Sequence, residues 1–236
     1  MPSHPQVERI GHRGAPRDRM ENTLSSFRRA VELGATAVEL DVHVTTDGVP
    51  VVHHNPELDS KVRPPNLARA RLAELGSRDI QTVRLSSGDP IPTLIEVLEA
   101  LTPATKVYVE IKGGPPTAIA KVVAPFKDWI AVHSFDHESI VEMARIAPGI
   151  TRGILIEKSA DDMEPEVRRT GASDVWPAHK LVDEAFMDRA RNCGARVIPW
   201  TVNSGREVRR LVGLGVAGIC TNDLTLFGAT QRRNPE

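Results

Sequence analysis

Several things are scarce in this chain, and each scarcity excludes something. Cysteine occurs twice in 236 residues, at Cys193 and Cys220. That is too few for a disulfide framework and points to a reducing compartment, expected to be the cytoplasm. Aromatic residues make up 4 % of the chain, which argues against a stacking platform for single-stranded nucleic acid. Neither charge sign is in excess: 30 Lys and Arg stand against 31 Asp and Glu, a formal charge of −1. No broad electropositive surface is expected, so nucleic acid is an unsuitable partner and no stable membrane association is foreseen. No apolar run approaches the roughly 20 residues of a membrane span, and the opening MPSHPQVERIGHRG lacks the apolar core of a secretory signal. What remains, 40 % hydrophobic and 26 % charged residues, is the composition of a soluble globular protein.

Short β-branched runs alternate with amphipathic ones along the chain. The expected strands are 7–11, 37–42, 106–111, 130–134, 151–156, 174–176, 196–201 and 216–221. Between them, 23–33 reads as a helix, with Leu24, Phe27, Ala30 and Val31 on one face, a cap at Asn22 or Thr23, and Gly34 at its end. The stretches 93–101, 117–126, 137–147, 183–192 and 206–214 read the same way, and 162–169 as one short helix. Strand–helix alternation requires parallel strands, because each helix must return the chain across the sheet. At this length the pattern predicts a single (β/α)₈ TIM barrel spanning the chain. The stretch 55–92, rich in proline and charge with one helical pattern at 67–75, is too long for a βα loop and reads as an insertion after the second strand, on the barrel rim. The polar tail from Thr230 is expected to fray.

The chemistry gathers at strand ends. Alternation puts Glu39 and Asp41 on one face of Ala37–Val42, and Tyr108, Glu110 and Lys112 on one face of the strand that opens at Lys106. In a barrel the apolar faces meet the helices, so the carboxylates point inward at the C-terminal mouth. Three buried carboxylates repel or take up protons unless a cation joins them. An all-oxygen set suits one Mg²⁺ or Ca²⁺ ion; pairing with Lys112 or Arg13 is the simpler alternative. His12 follows the first strand and His54 closes Pro50–His54, so both reach the same mouth. Two imidazoles suit the proton removal and donation that cleaving a phosphodiester requires, and Arg13 offers a planar fork for phosphate oxygens.

His12-Arg13-Gly14, Glu21-Asn22-Thr23, Glu39-Leu40-Asp41-Val42, Thr46-Asp47-Gly48, Val51-Val52-His53-His54, Glu110-Ile111-Lys112, Ser134-Phe135-Asp136, Trp200-Thr201-Val202-Asn203 and Gly215-Val216 occur in that order. Together they resemble the glycerophosphodiester phosphodiesterase family. The resemblance covers essentially the whole chain and implies a TIM barrel with a small insertion after the second strand. It implies His12 and His54 as the acid–base pair, Glu39, Asp41 and Glu110 as metal ligands, and Arg13 and Lys112 as phosphate-facing cations. Trp200 is implied as a wall of the substrate site, with ordinary barrel packing as its alternative. Glu21 is expected to orient Arg13 or His12. Two departures stand out: Asn55 replaces the usual Asp after the second histidine, and Thr221-Asn222-Asp223-Leu224 replaces Thr-Asp-Xaa-Pro, with Ala217 at a common Asp.

The expected reaction is metal-dependent hydrolysis of a glycerophosphodiester to a glycerol phosphate and an alcohol. A lysophospholipase D-type enzyme, a non-catalytic phosphate-binding barrel, and a metal-dependent isomerase or aldolase on the same fold are the alternatives. Of the other histidines, His53 should face away from His54 in a packing or solvated role. His43 shares the inward phase of Glu39, and His133 ends a strand from which it approaches the phosphate. His4, His137 and His179 are expected at the surface or at helix ends.

Overall fold

The computed structural model describes residues 7–228; the frayed tail and surface His4 expected above lie outside them. Eight parallel strands run in the order of a barrel. They are β1 (Glu8–His12), β2 (Ala37–Val44), β4 (Lys106–Ile111), β5 (Ile130–Ser134), β6 (Thr151–Ile156), β7 (Asp174–Pro177), β8 (Arg196–Val197) and β9 (Gly218–Thr221). A short β3 (Pro50–Val52) pairs antiparallel with β2, placing Val42 opposite Val52. The strand ladder is continuous from β9 through β1 round to β8. Across the remaining seam, Ala217 N–H donates to the Val197 carbonyl at 2.9 Å and Cys220 N–H to that of Pro199 at 3.0 Å. The TIM barrel expected from the sequence is therefore the fold found.

Helices α1 (Leu24–Glu32), α2 (Ser77–Thr82), α3 (Leu94–Ala100), α4 (Pro116–Val123), α5 (His137–Ile146), α6 (Met163–Thr170), α7 (Glu184–Asn192) and α8 (Gly205–Leu214) fill the connections. Their starts follow local chemistry. Thr23 Oγ1 caps α1 by accepting from Ser26 N–H, and Thr93 and Glu96 form a reciprocal capping box on α3. Apolar residues on the outer strand faces, such as Val38, Leu40, Val107 and Val109, pack with Phe27, Leu94 and Ile119 from the helices. Val31, expected on the buried stripe of α1, is 40 % exposed instead.

Inside the barrel, Ile10, Ala37, Tyr108, Ala131, Leu155, Trp176, Ile198 and Cys220 make a closed apolar layer. A Cβ added at Gly153 would stand 3.0 Å from the Trp176 ring, so this glycine gives the indole its place. The layer seals the interior and forces the next inward residues of each strand to form the mouth.

Two sequence expectations need correction. The strand expected over 196–201 is regular only at Arg196–Val197, because Pro199 has no N–H to give the ladder. The helical pattern at 67–75 is two 3₁₀ turns, Pro65–Leu67 and Leu72–Glu74, and the α-helix of this region is α2, a few residues later. Residues 55–92 nonetheless bury a small core of their own, in which Val51 joins Leu58, Val62, Leu72, Ile80, Val83, Leu85 and Ile91.

Candidate active site

Strand register assembles the site. His12 lies opposite Glu39 across β1 and β2, Asp41 opposite Glu110 across β2 and β4, and Glu110 opposite His133 across β4 and β5. A cavity of about 310 Å³ opens at this end, lined among others by His12, Arg13, Glu39, His54, Glu110, Lys112, His133 and Trp200. The alternation argument placed Glu39 and Glu110 correctly.

The turn after β1 aims Arg13. Arg13 and Asn22 take positive φ values of 54° and 56°, a conformation side-chain-bearing residues seldom adopt without compensation. Here Arg13 N–H donates to Glu39 Oε2 at 3.1 Å, and Asn22 Nδ2 donates to Asp41 Oδ2 at 2.8 Å. Ser26 Oγ donates to the Arg13 carbonyl at 3.0 Å and accepts from Ala15 N–H at 2.8 Å. Gly14, at φ 90°, lies so close to Ser26 that a Cβ there would collide with it.

Asp41 is enclosed by cations and amide. Arg13 Nε lies 3.1 Å from Oδ2 and Lys112 Nζ 3.3 Å from Oδ1. Burial works against its charge, but Lys112, Arg13 and Asn22 prevail and hold the carboxyl below its ordinary pKa. Glu39 and Glu110 are held differently. Burial, then Asp41 and Glu110, push Glu39 well above the usual carboxylate range. Burial lifts Glu110 to about 7, although Lys112 Nζ stands 2.8 Å from its Oε1.

Among the described residues, Glu39, Glu110 and His133 each offer a ligand atom within 4.8 Å of the others. His133, which the sequence placed near a phosphate, is thus set among the carboxylates, stacked on Trp176 with ring centroids 4.3 Å apart. Asp41, expected to share a metal with Glu39 and Glu110, stands beside this group and engages Arg13 and Lys112. Asp41 Oδ1, Glu110 Oε1 and His133 Nδ1 are buried without a well-formed hydrogen bond. Buried carboxylate oxygens that meet only Lys112, an imidazole nitrogen without a partner, and glutamates lifted above all by burial are what a divalent cation would satisfy, so the donor set fits one.

The two histidines expected as a pair share the cavity. His12 Nδ1 lies 2.6 Å from Asn222 Oδ1; a carbonyl oxygen only accepts, so Nδ1 carries the hydrogen and Nε2 is a free lone pair. Burial first, then Arg13, lowers the His12 pKa to about 4, leaving the ring neutral near pH 7. Nothing in the sequence linked Asn222 to His12, 210 positions away. His54 is half-buried, and its Nδ1 donates to Asn55 Oδ1 at 3.0 Å. The residue at this sequence departure still supplies an acceptor. His43 Nε2 sits 3.1 Å from the His54 carbonyl. Glu21 Oε1 accepts from Arg13 Nη1 at 3.0 Å. Trp200 lines the cavity while its Nε1 donates to the Trp176 carbonyl at 2.8 Å, and Phe135 packs edge-on at 5.4 Å. Of the remaining histidines, His137 and His179 pair with Glu166 and Glu207 at 2.7 and 3.2 Å.

One sequence relative and two solved structures resemble this chain. A glycerophosphodiester phosphodiesterase of Caldanaerobacter subterraneus subsp. tengcongensis is 30 % identical over 226 residues, which is 91 % of this chain and 93 % of that protein. The crystal structure of a glycerophosphodiester phosphodiesterase from Agrobacterium tumefaciens superposes with a TM-score of 0.83 at 24 % identity, covering 95 % of this chain and 100 % of that one. An Oleispira antarctica phosphodiesterase, solved in complex with the product sn-glycerol-3-phosphate, shares the fold with a TM-score of 0.85 at 19 % identity, over 94 % and 96 % of the two chains. The sequence profile of one enzyme family matches residues 12–226, beginning at the first candidate catalytic histidine. The chain belongs to the Glycerophosphoryl diester phosphodiesterase family.

Proposed function

We propose that this mouth hydrolyses glycerophosphodiesters to a glycerol phosphate and a free alcohol, with His12 as general base and His54 as general acid. The observation that carries the proposal is the shared cavity: two imidazoles with ε-nitrogens uncommitted to their hydrogen-bonding partners, Asn222 and Asn55, flank a carboxylate group that needs a cation. The cation, Mg²⁺ or Ca²⁺, would be held by Glu39 and Glu110 with Asp41 or His133 beside them. When bound it supplies positive charge against a phosphate oxygen as the transition state forms.

The protein residues do the rest. Arg13 and Lys112 bind the non-bridging oxygens, each already fixed by carboxylates so that little side-chain freedom is lost on binding. His12, neutral and oriented by Asn222, takes the proton from the attacking hydroxyl at Nε2. That hydroxyl belongs to the glycerol or to water. His54, oriented by Asn55 and anchored at its backbone by His43, must first take up a proton at Nε2, against burial that lowers its pKa, and then delivers that proton to the departing alcohol oxygen. Trp200 and Phe135 wall the cavity on its far side.

The test is a turnover panel of glycerophosphodiesters across Mg²⁺ and Ca²⁺ titrations with a chelator control. Alcohol release that requires a divalent cation is expected; equal turnover in chelator would overturn the metal role, and no release from any ester would overturn the function. A lysophospholipase D-type reading is favoured by one feature, the 44 % exposed Phe135 at the mouth. It predicts that a lysophospholipid outcompetes the deacylated esters in the same panel.

A further inference from the structure

Among the described residues, β8 and β9 are the neighbouring barrel strands with no regular ladder between them. Separate backbone bonds cross this seam instead. Ala217 N–H donates to the Val197 carbonyl at 2.9 Å, Cys220 N–H to that of Pro199 at 3.0 Å, and Val202 N–H to that of Cys220 at 2.9 Å. One step closer to the mouth the acceptor is no longer backbone. Asn222 N–H donates at 2.9 Å to Oδ1 of Asn203, and the Thr221 hydroxyl donates to the same oxygen at 3.3 Å. A side-chain carboxamide thus takes the rung that a backbone carbonyl fills in a strand. A backbone rung survives substitution, whereas this one is removed by a single change.

What that rung fixes is the residue that orients His12. Asn222 Oδ1 receives the His12 Nδ1 hydrogen at 2.6 Å, and such a bond sets where the other ring nitrogen aims its lone pair. Asn222 lies one residue past the end of β9, beyond regular pairing. On its far side the turn is tied down, since Asp223 N–H donates to Thr221 Oγ1 at 3.0 Å and the Asp223 carboxylate pairs with Arg17. Across the seam it is held through Asn203. The Asn203 side chain is exposed, and its Nδ2 makes no hydrogen bond with a described residue, so its contacts run through Oδ1 alone. We infer that Asn203 is a positioning residue for the proton-transfer step: it holds the backbone of Asn222, whose carboxamide keeps His12 Nε2 directed at the attacking hydroxyl. The inference rests on the proposed role of His12 as general base. Asn203 is not among the residues lining the cavity, so its removal should be felt in kcat rather than in substrate binding.

The test is a double-mutant cycle on the full chain with its divalent cation, using the panel ester that turns over fastest. Asn203→Ala should lower kcat about tenfold and leave KM within about twofold, the loss of one orienting hydrogen bond, with the melting temperature close to that of the parent. Asn203→Asp keeps an acceptor oxygen in place and should recover most of the lost kcat. Asn222→Ala should lower kcat at least as far. The variant carrying both Asn203→Ala and Asn222→Ala should be no slower than Asn222→Ala alone, because Asn203 then has no carboxamide left to place. Parent-like kcat in Asn203→Ala, a rise confined to KM, losses that multiply in the double variant, or an Asp variant no faster than the Ala variant would each overturn the inference. His12→Ala measured alongside separates the two possible failures. Normal kcat in His12→Ala removes the base itself, whereas an impaired His12→Ala beside an unimpaired Asn203→Ala removes only the positioning role.

Discussion

At the N-terminal end of the barrel, Glu8, Lys106, Asp174 and Arg196 each open a strand, and two acids meet two bases. Arg196 reaches both Glu8 and Asp174, while the Tyr108 hydroxyl donates to Glu8 Oε2 at 2.5 Å. At the C-terminal mouth the balance is different. Glu21, Glu39, Asp41 and Glu110 face only Arg13 and Lys112 as fixed cations. One end matches acids with cations, whereas the other holds two more carboxyl groups than fixed cations, and burial favours the protonated form of Glu39 and Glu110 there until a cation joins them. The two ends of one barrel therefore differ in charge balance rather than in burial, since Asp174 at the first end is as enclosed as the acids of the mouth.

The largest effect that would sharpen this contrast is catalytic. His12→Ala and His54→Ala should each lower kcat by a factor on the order of 10²–10⁴ with melting temperature and metal-induced stabilisation retained. Near-normal kcat in both variants would erase the distinction at the mouth. At the opposite end the signs reverse. Arg196→Met leaves Glu8 and Asp174 short of a partner and should cost about 2–3 kcal/mol of stability, the lower range for a broken buried pair because Arg196 is partly exposed. Its kcat, measured where the protein is still folded, should stay within about twofold of the parent. A fall in kcat comparable to that of the histidine variants would show that the two ends are not separable.

Glu110→Gln should show the usual trade between activity and stability. Removing a carboxylate crowded by Asp41 and Glu39 should stabilise chelator-treated protein by about 1 kcal/mol, while weakening the metal-induced rise in melting temperature by about 10-fold in metal affinity. Loss of stability without the cation would mean the mouth is already balanced.

The smallest effect is a control from neither end. Glu166 accepts from Arg169 and from His137, which hold its pKa at about 2 against an ordinary 4.5. A depressed carboxyl contributes its stability above pH 4.5 and loses it as the pH falls towards 2. Between pH 5 and 3 the parent should lose up to about 1 kcal/mol more than Glu166→Gln in paired thermal melts, since the pair is largely solvated. Parallel curves would remove this contribution.

Much of the barrel was legible because period-two alternation in 37–42 and 106–111 fixes which residues face inward, and the helical stripes between fix parallel strands. Alternation cannot say toward which neighbour an inward side chain leans. Glu39 and Asp41 share a face, yet Asp41 leans to Lys112 and Arg13, while Glu39 joins Glu110 and His133. That choice depends on interstrand register and on the left-handed turn at Arg13, neither of which local pattern encodes. His133 carried a usable signal, its inward phase with Ala131. Asn222 carried none, since its partner is on the first strand. In the insertion, the spacing of Leu67, Leu72 and Leu75 mimics a helix, but the prolines at 64 and 65 start a short turn and the leucines instead feed a separate small core.

That separate core has a bearing on regulation by local opening. His12 is embedded in a central strand, whereas His54 follows a short edge strand whose Val51 is buried in the insertion's own apolar cluster. The two proposed acid–base residues thus rest on different supports, although Val52 of the same strand packs in the main barrel core. Amide exchange should find the segment carrying His54 releasing at lower free energy than β1. Partial melting of that appendage would switch turnover off while the remainder of the protein stayed native.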